Sequence, residues 1–285
     1  MWTRMNPWLP TILLAGVTFL ACGTEPAGPA IGSAEWYWEA AQHNYSMGDY
    51  EKTQEHLEKL AETYADWRAR ALPWRAALVG GLAHGYLELT DTFGLCASMN
   101  PEAAANLRNP IQQWRRDARR HALNFALTVE TLGPTLAGGE PLVLDFAFPA
   151  GRPSKSPLME NVEDGMAPRA DQVASCEDEA LGRGVVLQTS MMAGAGNDAP
   201  QAQQMFEARP VEVPAGQMLC VLSASLVELA TVFDSRHVNE TDKHAYMLDL
   251  AVKMLQHPLS GDDQEMRKKA EEIKKKAEGA RKAAS

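Results

Sequence analysis

Histidine and carboxylate gather in one short stretch, Phe233 to His244, which reads FDSRHVNETDKH and holds Asp234, His237, Asp242 and His244. These are zinc-ligand types, but their spacing matches no zinc motif. A polar turn in which Thr241 caps the next helix is sufficient, so no metal is expected. Gly194 to Ala199, GAGNDA, has the glycine spacing of a dinucleotide loop after an apolar run. Pro200 and a β-like segment follow where a long helix should receive the pyrophosphate, so a hairpin loop, and no cofactor, is expected. His84 and His121 have no His or Cys four residues on and read as packed residues. There is no G-x-S-x-G, H-E-x-x-H, C-x-x-C or phosphate loop, so the chain is expected not to be an enzyme. Short motifs do not report groups assembled from distant segments, which is the one route to catalysis left open.

Two clusters suggest binding instead. Arg115, Arg116, Arg119 and Arg120 crowd one side of a helical segment; they form either an anion-binding patch or a solvated face that pairs with acidic neighbours. Trp36, Tyr37 and Trp38 are consecutive, so a helix cannot bury all three against one neighbour. Trp36 or Trp38 could rim a ligand or peptide groove, or the group could cap the exposed end of a helical array.

Helices must position these residues. Ile111, Trp114, Ala118, Ala122, Phe125, Val129 and Leu132 recur in steps of three and four and define one buried stripe over 101–132. Upstream, Tyr37, Ala40, Ala41 and Tyr45 keep helical spacing. The turn Gly48-Asp49 then leads to Tyr50, Leu57, Leu60, Ala61 and Tyr64, which predicts a helical hairpin over 34–65. With small Ala41, the Gly48-Asp49-Tyr50 turn and Leu60-Ala61, this segment resembles one tetratricopeptide repeat, although Asn44, Thr53 and Ala65 depart from that pattern. A looser second hairpin is expected over 71–92, where Gly81 and Gly85 would admit a neighbouring helix closely. The resemblance implies stacked hairpins over 34–132.

From 133 to 216 the period changes. PLVLDFAF, GVVLQTSMM and FEARPVEVP predict short strands between turns, flanked by an acidic loop around Glu160, Glu163, Asp164, Asp171, Glu177, Asp178 and Glu179. Leu219, Leu222, Leu226, Leu229 and Phe233, then Tyr246, Leu250, Met254 and Leu255, predict a further helical hairpin over 217–259. In the charged segment 260–285, Glu265/Lys269, Glu271/Lys275, Glu272/Lys276 and Glu278/Lys282 are favourable i,i+4 pairs. Met266, Ala270, Ile273, Ala277 and Ala280 form a heptad-like seam, read as a capping helix or as a dock for a partner or a second copy. The expected fold class is mainly α, with an irregular insertion carrying short β-strands.

At the N-terminus, Arg4 precedes an uncharged, mainly apolar run to Ala21, the layout of a secretory signal. It is short, and broken by Pro7 and Pro10, for a spanning helix. Phe19-Leu20-Ala21-Cys22 resembles a bacterial lipobox, although Leu is usual where Phe19 stands; an ordinary cleaved signal and an uncleaved anchor are the alternatives. The resemblance implies lipidation at Cys22, removal of 1–21, and a Gly/Pro-rich tether over 22–33. Gly23, where Asp would favour retention in the inner membrane, implies an outer-membrane protein facing the periplasm. The remaining chain carries 26 basic and 37 acidic side chains, a net charge of −11, which argues against nucleic acid as a partner. Cys96, Cys176 and Cys220 are too few and too scattered for a disulfide framework and are expected to be buried thiols.

The resulting expectation is a lipid-anchored, non-catalytic envelope scaffold that holds a protein or peptide through a tetratricopeptide-like surface. The alternative is a small-molecule-binding lipoprotein, accessory to transport, with its pocket between the helical array and the insertion. A deep pocket with a few inward polar groups favours the second, and a shallow groove the first.

Overall fold

A computed structural model describes residues 28–208, 210–234, 240–257 and 264–284. The lipobox-like stretch with Cys22, the start of the tether, and His237 lie outside the described residues.

The first hairpin forms as the spacing predicts. Helix α1, Ala34–Met47, starts where the Ser33 side chain accepts from the Trp36 N–H at 3.2 Å. It ends at Gly48, whose φ of 79° lies in the left-handed region that costs glycine least. Asp49 then caps α2, Tyr50–Thr63, by accepting from the Lys52 N–H. Trp38, Ala41 and Tyr45 from α1, and Leu57, Leu60 and Ala61 from α2, face the core.

Beyond this hairpin the repeat expectation is not carried. Residues 71–92 form no hairpin but lie inside one uninterrupted helix, α3, Ala65–Met99, of 35 residues. A single residue, Asn100, turns the chain into α4, Pro101–Ala137, of 37 residues, with its side chain accepting from the Ala103 N–H. Each of these helices is as long as a whole two-helix repeat unit of about 34 residues. No stack of repeating hairpins is identified among the described residues; α3 and α4 pack along each other as a long pair.

The segment 133–216 is an insertion with a two-stranded ladder, yet most of it is helical. Strand β1, Leu142–Leu144, pairs antiparallel with β2, Val211–Val213, in the register Leu142 to Val213 and Leu144 to Val211. Between them lie α5, Pro157–Glu163, α6, Ala170–Ala193, and α7, Ala199–Glu207. GVVLQTSMM is therefore helix, not strand. Val185, Val186, Gln188, Thr189, Ser190 and Met192 are all buried, and a helix covered on every side shows no period to distinguish it from a strand. The acidic residues expected in a loop sit largely on helices, Glu160 and Glu163 on α5 and Asp171, Glu177, Asp178 and Glu179 on α6. GAGNDA turns α6 into α7, with Gly194 at a φ of 91° and Asp198 capping α7.

Helix α6 packs on α3, and the glycines decide how closely. A Cβ on Gly81 would lie 2.5 Å from Val185 Cα, and one on Gly184 would lie 2.2 Å from the Gly81 carbonyl oxygen. The helix that Gly81 admits thus comes from the insertion and not from a repeat neighbour. Aromatic residues fill the space beside this crossing. Trp74 stacks on Phe146 at 4.2 Å between ring centroids, and Tyr45 and Trp38 meet Phe146 edge-on.

The last helices are α8, Ala215–Ala230, continued by a 3-10 turn, Thr231–Phe233, then α9, Thr241–Leu255, and α10, Gln264–Ala284. Thr241 is the first helical residue of α9, and Glu240 holds the cap position. By length and composition alone Ala215–Phe233 is apolar enough to cross a membrane, but 67% of that window is buried inside the fold. The α10 seam is covered within the chain, since α10 packs on α8 and α9 with Ala270, Ile273 and Ala277 buried.

Candidate functional site

Five segments converge on a cleft of about 920 Å³. The α1–α2 turn and the start of α2 supply Asp49, Glu51 and Gln54; α3 supplies Tyr86; α4 supplies Arg120 and His121; the loop before α5 supplies Arg152; and α6 supplies Asp178 and Glu179. The cleft therefore lies where the first helices meet the insertion. Met47, Leu82 and Leu181 add apolar side chains to the lining.

The loop forming one wall is fastened by specific contacts. The Tyr50 hydroxyl donates to the Ala150 carbonyl at 3.0 Å, and Arg183 donates to the Ser154 carbonyl at 3.3 Å. Arg183, only 3% exposed, also bonds both oxygens of Glu88 and reaches Glu179 at 2.9 Å. Glu179 in turn accepts from the Ser156 N–H and hydroxyl. Burial works to raise the Glu179 carboxyl, but the hydrogen bonds from Ser156 and Arg183 outweigh it and hold the group below its usual range. Burial likewise opposes the Arg183 charge, and its bonds to Glu88 and Glu179 override it. This paired and hydrogen-bonded charge is the arrangement in which an ion survives burial.

The floor is an aromatic pair. Tyr86 and His121 lie nearly parallel, 5.6 Å apart with an interplanar angle of 17°. Burial, reinforced by the Arg120 charge and opposed by Asp117, lowers the His121 pKa to about 4, so the ring is neutral near pH 7. Its Nε2 is 3.3 Å from Arg120 Nη2. A guanidinium can only donate, so Nε2 accepts and the proton of the neutral ring is assigned to Nδ1. That Nδ1 is buried without a hydrogen-bond partner. The Tyr86 hydroxyl is pushed up to about 12 by burial and by the charges of Glu177, Asp117 and Glu51, against the opposing charge of Arg120.

The residues picked out by sequence scatter. Arg120 reaches the cleft and pairs with Asp117 at 3.0 Å. Arg116 is exposed and donates to Gln113, while Arg115 and Arg119 border a separate small hollow with Leu87 and Val232. Trp36 is half-buried, edge-on to Tyr37 and His56. Trp38 corrects its expectation: it is 4% exposed, with Arg70 4.2 Å over its ring, and belongs to the core and not to a rim. Cys96, Cys176 and Cys220 are buried, and Cys96 and Cys176 are free thiols with pKa values raised by burial. Burial also lowers the pKa of His84, which lies 3.9 Å from Glu228. Among the described residues no group of three or more His, Cys, Asp or Glu is placed to hold a metal ion.

Sequence reading missed Glu51, Tyr86, Arg152 and Asp178 as a set and set His121 aside. They come from five different segments, and no local spacing links them. Comparison of the chain with protein-family models, curated proteins and solved structures finds no match.

Proposed function

We propose that this chain is a lipid-anchored, non-catalytic binding protein of the bacterial cell envelope that takes a small ligand in the cleft between its long helices and its insertion. The cleft carries the proposal. Its volume of about 920 Å³ falls in the range of small-molecule sites, and most of the side chains lining it are polar or charged. Lipidation at Cys22 would hold this cleft at the outer membrane, facing the periplasm, and restrict diffusion of the binder.

A metabolite library screened by thermal shift against the full chain, with Tyr86→Ala as comparison, tests the cleft. At least one compound should raise the parent's midpoint and leave the variant's unchanged; a library without such a compound sinks the reading. Cys22→Ser should move the protein from the membrane fraction to the soluble fraction with its fold kept, and unchanged partitioning would remove the anchor from the proposal.

A scaffold reading, with a protein or peptide partner, has one observation in its favour. Met99 and Met166, 49% and 54% exposed, lie near the α3–α4 turn, and methionine suits adaptable contact surfaces.

A further inference from the structure

Helix α10 turns a basic face to solvent. It carries eight basic side chains against four acidic ones, and its buried Ala270, Ile273 and Ala277 rest on α8 and α9. Lys268, Lys275 and Lys282 recur every seven residues, which by helical geometry sets them in a line opposite that seam. All three are exposed, and Lys268 and Lys275 have no ion pair among the described residues.

The complement stands on the first hairpin. Residues 34–63 carry seven acidic side chains and two basic ones. On α2, Glu51, Glu55, Glu58 and Glu62 fall at steps of four, three and four, so they form one stripe along the helix. Glu58 pairs with Arg75 at 3.3 Å, and Lys59 beside the stripe offsets part of its charge. Glu51, Glu55 and Glu62 are exposed and have no ion pair among the described residues.

The two stripes share a period. Seven residues of helix advance about 10.5 Å, so Glu55 and Glu62 are spaced along α2 as Lys268 and Lys275 are along α10. Within one chain these helices have different neighbours, since α2 packs on α1 and α3 while α10 packs on α8 and α9. Neither stripe suits itself across a two-fold axis, where like charges would meet. Complementary pairing sets α10 of one copy against α2 of the next, which is a head-to-tail contact.

We propose that this protein associates head to tail, with the basic face of α10 on one copy seated along the glutamate stripe of α2 on another. The occupant of that face is a second copy of the chain. This goes beyond the binding-protein reading and does not rest on it.

Sedimentation velocity of the full chain in a non-ionic detergent, with micelles in excess, tests it. The parent should form species larger than a monomer at low salt, and they should dissociate as salt rises. Lys268→Gln with Lys275→Gln, and separately Glu55→Gln with Glu62→Gln, should each weaken association at least tenfold. All four side chains are exposed, so the fold should survive, which circular dichroism checks. Mixing the two variants is decisive: each keeps the face that the other lacks, so one native contact forms and the mixture stops at a one-to-one dimer. A parent that stays monomeric at low salt overturns the proposal, as does association that the α2 variant leaves unchanged. A mixture without a dimer overturns it too. Cosedimentation of a monomeric parent with phosphatidylglycerol vesicles, lost in the α10 variant, would assign the basic face to a lipid surface instead.

Discussion

Replacing Gly81 by alanine adds one carbon at the point where two helix backbones meet. The new Cβ would lie 2.5 Å from Val185 Cα and 2.8 Å from Val185 N. No flexible side chain stands there to yield, so α3 and α6 must separate by about 1 Å to restore ordinary contact. Overpacking of this kind costs about 1 to 3 kcal/mol, and rigid backbone on both sides places this site at the upper end. Alanine in a helix returns about 0.5 to 1 kcal/mol relative to glycine. The net loss should be about 2 kcal/mol, a fall in Tm on the order of 5 °C for a chain of this size. Gly94 provides the control within the same helix, because a Cβ there meets nothing within 4 Å. Gly94→Ala should therefore stabilise by about 0.5 to 1 kcal/mol. Urea unfolding followed by circular dichroism reads both variants. If Gly81→Ala proves as stable as Gly94→Ala, the α3–α6 contact does not have the closeness argued for it. Ligand binding supplies a second readout, since the cleft lies between α3, α4 and α6 and should weaken when they part.

Two further outcomes follow from buried charge. His121 has a folded pKa of about 4 against 6.5 for an unperturbed ring, so between these values the unfolded chain binds the extra proton. Its contribution is fully present above about pH 6.5 and is lost as pH falls toward 4, by roughly 3 kcal/mol over that window. Unfolding free energies measured across the window should show a shallower fall in His121→Gln, and an equally steep fall would rule out this residue as the source. Arg183→Met takes the buried cation from Glu88 and Glu179, which keep only Lys155 at 3.7 Å and the Ser156 hydrogen bonds, and should cost about 3 kcal/mol. Adding Glu88→Gln and Glu179→Gln should recover most of that loss in the same urea assay, and no recovery would contradict the pairing argument.

What sequence alone determined was local. Ser33, Gly48 and Asp49 set the first hairpin, because a cap and a left-handed turn need only neighbours a few residues away. The stripe from Ile111 to Leu132 placed α4 because one of its faces meets core and the opposite face meets water. The α8–α9 hairpin was legible for the same reason. Tertiary structure decided the rest. Helix α6 looked like a strand because burial on all sides erases the periodicity that distinguishes the two. Gly81 signalled a close neighbour, but nothing in the chain's order says that the neighbour is Gly184, about a hundred residues on. Trp38 and Trp36 are two residues apart, yet one is in the core and the other is not, because that depends on where Phe146 and Arg70 come to rest. The cleft follows the same logic. Glu51, Tyr86, His121, Arg152 and Asp178 have no shared spacing, and only the packing of α4 and α6 against α3 brings them to one place.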